Sequence, residues 1–476
     1  MMSKESKKTK KKKNNIRKIY SFIFFAVIMA FVLFLFYINV LPMFLNISIT
    51  VMLSLIMFIL LFFINNNRVK DNIRVKSLVV SVILLLIFGF IDYHIFHTLS
   101  FLGNITNNDN MINYPLIVLS DSNYSKKSDM SGRKIGYYEG NQQVLKKIKS
   151  SELIEYDDLS KLYHDLLDQK ISAILVEQSM KDLADENNEN YSKRTKVIYT
   201  YKAKEKSATS AKIVDVTSKP FIIYLSGIDT EGEVSSVSRS DVNIVVTINP
   251  NTHKILLVSI PRDYYVKLHS KNGYKDKLTH AGIYGVDESI KTIEDILDID
   301  INYYVRVNFT SVRDIVDTLG GITVNSDYDF TSTVDGRKFT KGINNLDGQG
   351  ALDFARERYS FKDGDRQRGR NQEEVIRALV EKVTNPKILF KYNQLLTKLG
   401  SKVDTNISSD ELFSLARLQL NQGIKWSIES CNLDGSNSME YTYSYPQQKL
   451  YVMIPNKDSI DTSKAKINEY LGDNNE

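Results

Sequence analysis

No charged side chain occurs between Lys18 and Arg68, and this stretch restricts the possible folds of the chain more than any other feature. A membrane-spanning helix needs only about 20 apolar residues, so the stretch is long enough for two helices. Asn39 to Pro42 interrupt it near the middle, which predicts a helical hairpin. A third apolar segment, SLVVSVILLLIFGF, begins at Ser77. We therefore predict a membrane region over residues 19–98, with helices at about 19–38, 43–64 and 77–97.

Basic segments flank the predicted hairpin on both sides, KKTKKKKNNIRK before it and RVKDNIRVK after it. Positively charged flanks stay in the cytoplasm. Three spans then place the large C-terminal part outside the cell, in a multi-pass protein of the cell membrane. We interpret residues 1–18 as a cytoplasmic tail that contacts lipid headgroups, with a nucleic-acid-binding arm as the alternative.

The part of the chain beyond the first two spans is mildly acidic. Residues 1–76 hold 13 Lys/Arg and two acids, and the remaining 49 basic and 54 acidic residues give residues 77–476 a net charge of −5. This balance argues against nucleic acid as a partner of the folded part. The single cysteine, Cys431, excludes an internal disulfide and a metal site built from cysteines.

The predicted external part divides into two units. Residues 107–210 have the pattern of a small α/β accessory domain, with strands in RKIGYYEGN and ISAILVEQ and a helix in YDDLSKLYHDLLDQ. The polar segment YKAKEKSATSAK is typical of a linker. Residues 212–476 form the second predicted domain, and its informative motifs lie in residues 215–385.

Charged residues in this second domain cluster at strand ends. FIIYLSGID ends on Asp229, SRSDVNIVVTINP opens with Arg239 and Asp241 on its more polar face, and ILLVSIPRD ends on Arg262 and Asp263. An isolated Arg-x-Asp pair is usually a surface ion pair of little energetic weight. Several such groups at strand ends indicate a ligand site, because α/β sheets place their ligands there.

Two further arginine-rich segments follow. If the chain leaves a helix near Ala355 in ALDFARERYS, Arg356 and Arg358 point the same way along an extended segment. DRQRGRNQEEVIRALVEKV predicts a helix whose apolar stripe, extended backwards, reaches Gln372 and Arg368. The stripe consists of Val375, Ile376, Leu379, Val380 and Val383. Polar groups on a buried face are costly unless a polar or anionic ligand binds there.

These residue types suit a metal-bound pyrophosphate. Guanidinium forks match phosphate oxygens bidentately. A pair of carboxylates such as Asp229 and Asp241 can hold Mg²⁺ together with phosphate oxygens.

In their order along the chain, GID, SRSD, INP, VSIPRD, DKL-x-HA, INYYVRVNF, LGGITV, ALDFARER and DRQRGRNQ resemble the motifs of the LytR-CpsA-Psr family of cell-wall glycopolymer ligases. The layout of three spans plus an accessory domain is similar to the streptococcal capsule branch of that family. The resemblance implies a fold of the α/β class, in which helices cover both faces of a mixed sheet to form an α/β/α sandwich. It also implies an apolar pocket that takes a polyprenyl chain. It also implies a phosphotransferase that moves a glycopolymer from a polyprenyl (pyro)phosphate to a peptidoglycan hydroxyl.

The resemblance also implies roles for individual residues. Asp229 and Asp241 correspond to ligands of Mg²⁺ (or Mn²⁺), and Asp365 is only a candidate for the catalytic base. The segment RNQ departs from the Q-Q of many members but keeps Gln372 in place. The phosphate-binding and catalytic set comprises Arg239, Arg262, Arg356, Arg358, Arg368 and Gln372, with Lys277 as a less certain member of the pocket.

The partners implied by the resemblance are a glycan linked to polyprenyl (pyro)phosphate, peptidoglycan, membrane lipids and other capsule-assembly proteins. The glycan could be a capsular polysaccharide or a polymer like teichoic acid, and the sequence does not distinguish them. Two other functions remain open: a membrane-bound regulator of capsule or cell-wall gene expression, which would act through the lysine-rich tail, and a lipid-phosphate sensor without turnover.

Overall fold

The computed structural model describes most of the chain. The described residues are 4–38, 43–106, 110–138, 142–148, 152–205, 210–228, 234, 238–385 and 403–472.

Three long helices lead the chain: α1 (Lys4–Ile38), α2 (Met43–Asn65) and α3 (Asp71–Thr106). The parts long and apolar enough to cross a membrane are Asn14–Tyr37, Met43–Asn65 and Asp71–Phe96. These segments confirm the three predicted helices. The third starts at Asp71 instead of near residue 77, because polar residues also form the first turns of a helix, where an acidic side chain is favourable.

A five-stranded sheet follows the membrane helices. Its strands are β1 (Asn110–Leu119), β2 (Lys134–Tyr138), β3 (Glu152–Tyr156), β4 (Ala173–Leu175) and β5 (Thr195–Glu205), in the order β3-β2-β4-β1-β5. The accompanying helices are α4 (Gln142–Leu145), α5 (Leu159–Leu167), α6 (Gln178–Asn187) and α7 (Glu189–Arg194). The predicted strands at β2 and β4 and the predicted helix at α5 are confirmed. The division of the chain into domains at residues 107–210 and 212–476 stays a prediction.

The C-terminal part contains more strands and helices. The strands are β6 (Phe221–Ile228), β7 (Ser240–Asn249), β8 (Lys254–Ser259), β9 (Tyr265–Lys267), β10 (Lys275–Lys277), β11 (Tyr303–Asn308), β12 (Ile322–Ser326), β13 (Phe330–Thr331), β14 (Lys338–Phe339), β15 (Gly342–Leu346), β16 (Val403–Thr405), β17 (Ser427–Asn432), β18 (Gly435–Thr442) and β19 (Tyr445–Pro455). The helices are α8 (Leu278–Ala281), α9 (Val286–Leu297), α10 (Phe309–Leu319), α11 (Gly348–Arg356), α12 (Asp365–Val383), α13 (Ser409–Gln422) and α14 (Lys457–Leu471).

Six of these strands form a mixed sheet in the order β16-β11-β6-β7-β8-β17. β11 runs parallel to β6 and β17 parallel to β8, while the other neighbouring pairs are antiparallel. Helices cover both faces. Residues of α9 and α14 pack on one face with Val245 and Val258, and residues of α12 pack on the other with Ile244 and Leu257. α13 extends this second layer over β6 and β11. The predicted α/β/α sandwich around a mixed sheet is confirmed.

Candidate active site

A cavity of about 210 Å³ opens at one edge of the six-stranded sheet. β7 begins at this edge and its antiparallel neighbour β8 ends there, so their polar ends meet. The first turns of α12 form the opposite wall. The charged residues that line the cavity are Asp241, Arg262, Asp365, Arg366, Arg368, Arg370 and Asp434. We call this space the arginine cavity.

Asp241 stands at the start of β7, where a β-bulge breaks the predicted alternation, because Ser240 and Asn243, three residues apart, both hydrogen-bond to the Tyr224 hydroxyl. The predicted alternation is confirmed only from Val242 onward, where Val242, Ile244 and Val246 share one face.

The two carboxylate oxygens of Asp241 have different partners. Arg262 Nη1 donates to Oδ2 at 2.9 Å and Thr279 Oγ1 donates to Oδ1 at 3.0 Å. Burial raises the pKa of Asp241, but the positive charges of nearby arginines, Arg262 foremost, outweigh burial and hold it below its usual value. The carboxylate is therefore ionised at neutral pH.

Arg262 follows the buried strand β8 and lies between two acids. Besides Asp241, it faces Asp263, whose Oδ2 is 3.7 Å from the guanidinium Nε. Burial lowers the pKa of Arg262, but these carboxylates outweigh burial and raise it. Its Nε is buried and makes no hydrogen bond to any group in the part of the chain that the structure describes.

Arg368 projects from the first turns of α12 and is only 8% exposed. Its Nη2 contacts Asp365 Oδ1 at 2.6 Å, one turn earlier on the same helix. Burial lowers the pKa of Arg368, and Arg262 and Arg358 lower it further. Within the described residues, its Nε also has no hydrogen-bond partner. Two arginines of the cavity lining therefore each carry a buried Nε–H that makes no hydrogen bond to a described residue.

The inward face predicted for α12 is mostly confirmed. Arg368 and Val375 are buried, and Gln372 is half-buried, donating from Nε2 to the carbonyl of Ala355 at 3.3 Å. The prediction is wrong at the end of the stripe. Val383, the last residue of α12, is 44% exposed, because this end of the helix extends beyond the sheet that the helix covers.

Two further predicted residues, Arg239 and Lys277, are not among the described residues that line the cavity. Arg239 lies close enough to Asp241 to lower its pKa. Lys277 does not line the cavity but pairs with Asp263, Nζ to Oδ1 at 3.1 Å. Asp229 lies outside the described residues.

Arg356 and Arg358 do not share one extended segment. α11 includes Arg356 as its last residue, because the helix continues one residue past the predicted exit at Ala355. Its exposed guanidinium stacks 4.0 Å from the Phe309 ring. Arg358 stacks on Tyr359 and contributes positive charge to the surroundings of Arg368, but neither arginine is part of the cavity lining.

The structure adds residues that the motifs did not reveal. Thr279 orients the Asp241 carboxylate, and Asn432 and Asp434 close the cavity from the end of β17. Arg366 connects α12 to this side of the cavity, since its Nε donates to Asp434 Oδ1 at 2.7 Å. Thr279 could have been found from its position beside Lys277 in DKLTHA, whereas the segment CNLDG carries no recognisable signal.

Asp241 is the described residue that best suits a divalent cation. Its carboxylate is ionised, and each oxygen accepts one hydrogen bond and retains a further lone pair. No group of three or more His, Cys, Asp or Glu side chains that could hold a metal occurs among the described residues. Mg²⁺ needs no such cage, since it is commonly held by one or two carboxylates together with waters and substrate phosphates. The donor set therefore fits Mg²⁺ bound together with a phosphate ligand.

The LytR_cpsA_psr family matches residues 178–460, which is more than half of the chain. The chain belongs to this family. The matched region includes the whole arginine cavity.

Several family members are similar in sequence or structure. The chain is 39% identical over 201 residues to a polyisoprenyl-teichoic acid–peptidoglycan teichoic acid transferase TagU of Bacillus cereus, covering 42% of this chain and 64% of that protein. TagU of Enterococcus faecalis is 38% identical over 221 residues, 46% of this chain and 71% of that protein. The crystal structure of B. subtilis TagV aligns with a TM-score of 0.45 at 30% identity, over 54% of this chain and 98% of that one. This chain thus spans slightly less than two-thirds of the length of the B. cereus relative and slightly more than two-thirds of the E. faecalis relative.

Proposed function

We propose that this protein is a phosphotransferase that attaches a glycopolymer, carried on a polyprenyl (pyro)phosphate, to peptidoglycan. The observation that carries the proposal is the pair of buried guanidiniums in one cavity lining, Arg262 and Arg368, each with an Nε that makes no hydrogen bond to a described residue. Similarity to the TagU transferases supports the same reaction class. A teichoic-acid-like polymer and a capsular polysaccharide are both compatible with this chemistry.

The chain's own residues would act chiefly by binding and orienting phosphate. Arg368 and Arg262 would hold non-bridging phosphate oxygens, with Arg239 adding charge nearby. In the reaction, a peptidoglycan hydroxyl oxygen forms a bond to the phosphorus nearest the glycan, and the pyrophosphate bridge breaks. The electron pair leaves with polyprenyl phosphate. Positive charge fixed where this negative charge develops stabilises the transition state more than the ground state.

Asp241, together with Asp229, would hold Mg²⁺ (or Mn²⁺) against the pyrophosphate. When bound, the metal would neutralise charge on the phosphate oxygens. The arginines around Asp241 keep the carboxylate ionised and so ready to bind a cation.

The hydroxyl proton must pass to a base, and Asp241 suits this task poorly because its lowered pKa makes it a weak acceptor. Asp365 lines the cavity and so stays a candidate for the base by position alone.

The deciding experiment is transfer in vitro from a lipid-linked saccharide to peptidoglycan fragments by the detergent-solubilised full-length protein. We expect transfer that depends on added Mg²⁺ in the wild type and is largely lost in Asp241→Asn. Asp434→Asn, at the β17 side of the cavity, serves as the matched control and should keep the metal dependence. Binding of the lipid-linked saccharide without turnover would identify a sensor instead and overturn the proposal.

We also propose that the N-terminus is cytoplasmic and the part after α3 extracellular, supported by three apolar helices and the basic flanks of the first two. Protease treatment of intact cells after wall digestion should remove the C-terminal part. Its protection until the membrane is broken would contradict this orientation.

A further inference from the structure

A second cleft, which we call the tyrosine cleft, lies between the region of the five-stranded sheet and the tip of the β18–β19 hairpin. Its volume is about 410 Å³. The wall from the first region includes Asp157, Asp158 and Ser160, and the facing wall includes Lys275 and Gln447. The tyrosines that line it are Tyr138, Tyr265, Tyr274, Tyr441, Tyr443 and Tyr445.

Two of these tyrosine rings are largely open to solvent. Tyr274 is 62% exposed and Tyr441 is 55% exposed. Tyr274 also packs against Tyr443, with ring centroids 5.6 Å apart, so the two rings form a shared aromatic surface. Tyrosine offers a rigid apolar face together with a polar hydroxyl, which suits a ligand that is itself both apolar and polar.

Polar groups of several kinds stand beside these rings. Gln447 Nε2 donates to Asp158 Oδ2 at 2.8 Å and so ties the two walls together. The exposed carboxylate of Asp157 and the ammonium of Lys275, 5.2 Å from the Tyr265 ring, lie in the same cleft. Carboxylates accept hydrogen bonds, an ammonium donates them and amides do both. Charges of both signs disfavour a lipid chain, and the acids disfavour a second phosphate.

A sugar ring matches this combination of groups. Its faces carry C–H groups that pack on aromatic rings, and its edge carries hydroxyls that both donate and accept hydrogen bonds. A concave site with a few polar groups beside aromatic surface is the general form of a small-ligand site.

The tyrosine cleft is joined to the arginine cavity by the two-stranded ribbon β9–β10. Lys275 lines the cleft, and Lys277, two residues or about 7 Å further along the strand, pairs with Asp263 beside Arg262. The hairpin tip is held to the same ribbon. The amide of Tyr443 donates to the carbonyl of Lys275 at 2.9 Å, and a buried His280–Asp276 pair contacts Ser444.

We propose that the tyrosine cleft is a saccharide-binding site that holds part of a glycan substrate beside the arginine cavity. The link to transfer rests on the proposed function, whereas saccharide binding can be measured without it. The glycan could belong to the peptidoglycan acceptor or to the lipid-linked donor, and the chemistry that recognises it is the same.

The test uses the full-length protein in detergent and two soluble probes: glycan strands from digested peptidoglycan, and a teichoic-acid-type glycan freed of its lipid. Binding is measured by calorimetry for the wild type, for the double variant Tyr274→Ala/Tyr441→Ala, and for Tyr199→Ala as a control. Tyr199 is an exposed tyrosine on β5 that does not line the cleft.

We expect at least one probe to bind the wild type and the control, and the double variant to bind it at least about tenfold more weakly, equivalent to about 1.4 kcal/mol. Binding of the peptidoglycan strands assigns the cleft to the acceptor, and binding of the other glycan assigns it to the donor. Polyprenyl pyrophosphate, as a ligand of the folded state, should raise the melting temperature of all three proteins equally, and this equal rise would show that the arginine cavity is intact.

Failure of both probes to bind the wild type, or equal binding by the double variant, would overturn the saccharide site. Loss of binding in both variants would also overturn it, since the effect would not belong to the cleft. If glycan binding behaves as expected but no transfer occurs under any condition, the proposed function fails and the saccharide site stands.

Discussion

Two buried arginines of the C-terminal part, Arg368 and Arg306, differ in one decisive respect. Both have a pKa that burial lowers, and both lie near an aspartate. Arg306, on β11, is 1% exposed, and its Nη1 lies 3.9 Å from Asp404 Oδ2. Tyr304 donates to the other oxygen of Asp404 at 3.1 Å. Arg306 is thus enclosed by the protein, whereas Arg368 opens onto a cavity shared with other arginines.

The comparison shows that burial of a guanidinium does not by itself mark a ligand site. Burying a charge is costly in both places, and each arginine is partly compensated by a carboxylate. Around Arg368 further cations, Arg262 and Arg358, add repulsion that a bound anion would relieve. We therefore interpret Arg306 as structural and Arg368 as functional, and the following predictions test this difference.

The largest expected effect is on stability, at Arg306. Arg306→Ala removes the cation and leaves Asp404 buried without it, so the free energy of unfolding should fall by about 3–5 kcal/mol. Thermal unfolding of the full-length protein in detergent measures the change. The double variant Arg306→Met/Asp404→Leu should recover most of the stability, and its transfer per folded molecule should stay near wild type. If the double variant were as inactive as Arg368→Ala, Arg306 would also be needed for transfer, and the interpretation of Arg306 as purely structural would be wrong.

The next effect is on activity, at Arg368. Arg368→Ala should lower transfer by about 10²–10³-fold, because a preorganised donor to developing charge is lost. Arg368→Lys should restore little, since an ammonium lacks the planar fork of a guanidinium. Arg417→Ala is the control, because Arg417 contacts Ser414 on its own helix. Transfer by Arg368→Ala at the wild-type rate would show that its inward position is mere packing.

A third prediction concerns pH and the buried Glu373, which follows Gln372 on α12 and receives a long contact of 3.5 Å from Asn432. Burial raises the pKa of Glu373 to about 8, from an ordinary value of 4.5. Because the pKa is raised on folding, the contribution to stability is full below about pH 4.5 and is lost as pH rises through about 8. Wild type should lose about 2 kcal/mol of stability between pH 6 and pH 8 from this group.

The isosteric change Glu373→Gln removes this titration. Its stability should be flatter over the same pH range, and the melting temperature near pH 8 should approach or exceed that of wild type. Parallel pH profiles for the two proteins would show that Glu373 is already ionised in the folded state.

The smallest effect is expected at Lys277, which is linked to the arginine cavity through its ion pair with Asp263. Lys277→Gln should reduce transfer by about tenfold or less, equivalent to at most about 1.4 kcal/mol, because the lost charge lies outside the lining. The matched control is Lys267→Gln, which replaces an exposed lysine on the partner strand β9 and should leave transfer unchanged. A loss as large as that of Arg368→Ala would extend the phosphate site to Lys277.

Local periodicity in the sequence was enough to predict the three long apolar helices, the alternation along β7 from Val242 onward and the inward position of Arg368. Each of these features depends on residues two to four apart, or on one continuous apolar run, so neighbours along the chain decide it. Motif resemblance added the family, the sandwich fold and the grouping of Asp241, Arg262 and Arg368, which the structure brings to one cavity.

Other features depended on contacts between distant segments. The pairing of Arg366 with Asp434, 68 residues apart, and of Thr279 with Asp241, 38 apart, follows from sheet order and helix packing. The tyrosine cleft brings Asp158 and Gln447, 289 residues apart, into contact. No local pattern encodes such encounters, since many distant pairs have compatible chemistry and only the packing of the whole chain selects among them.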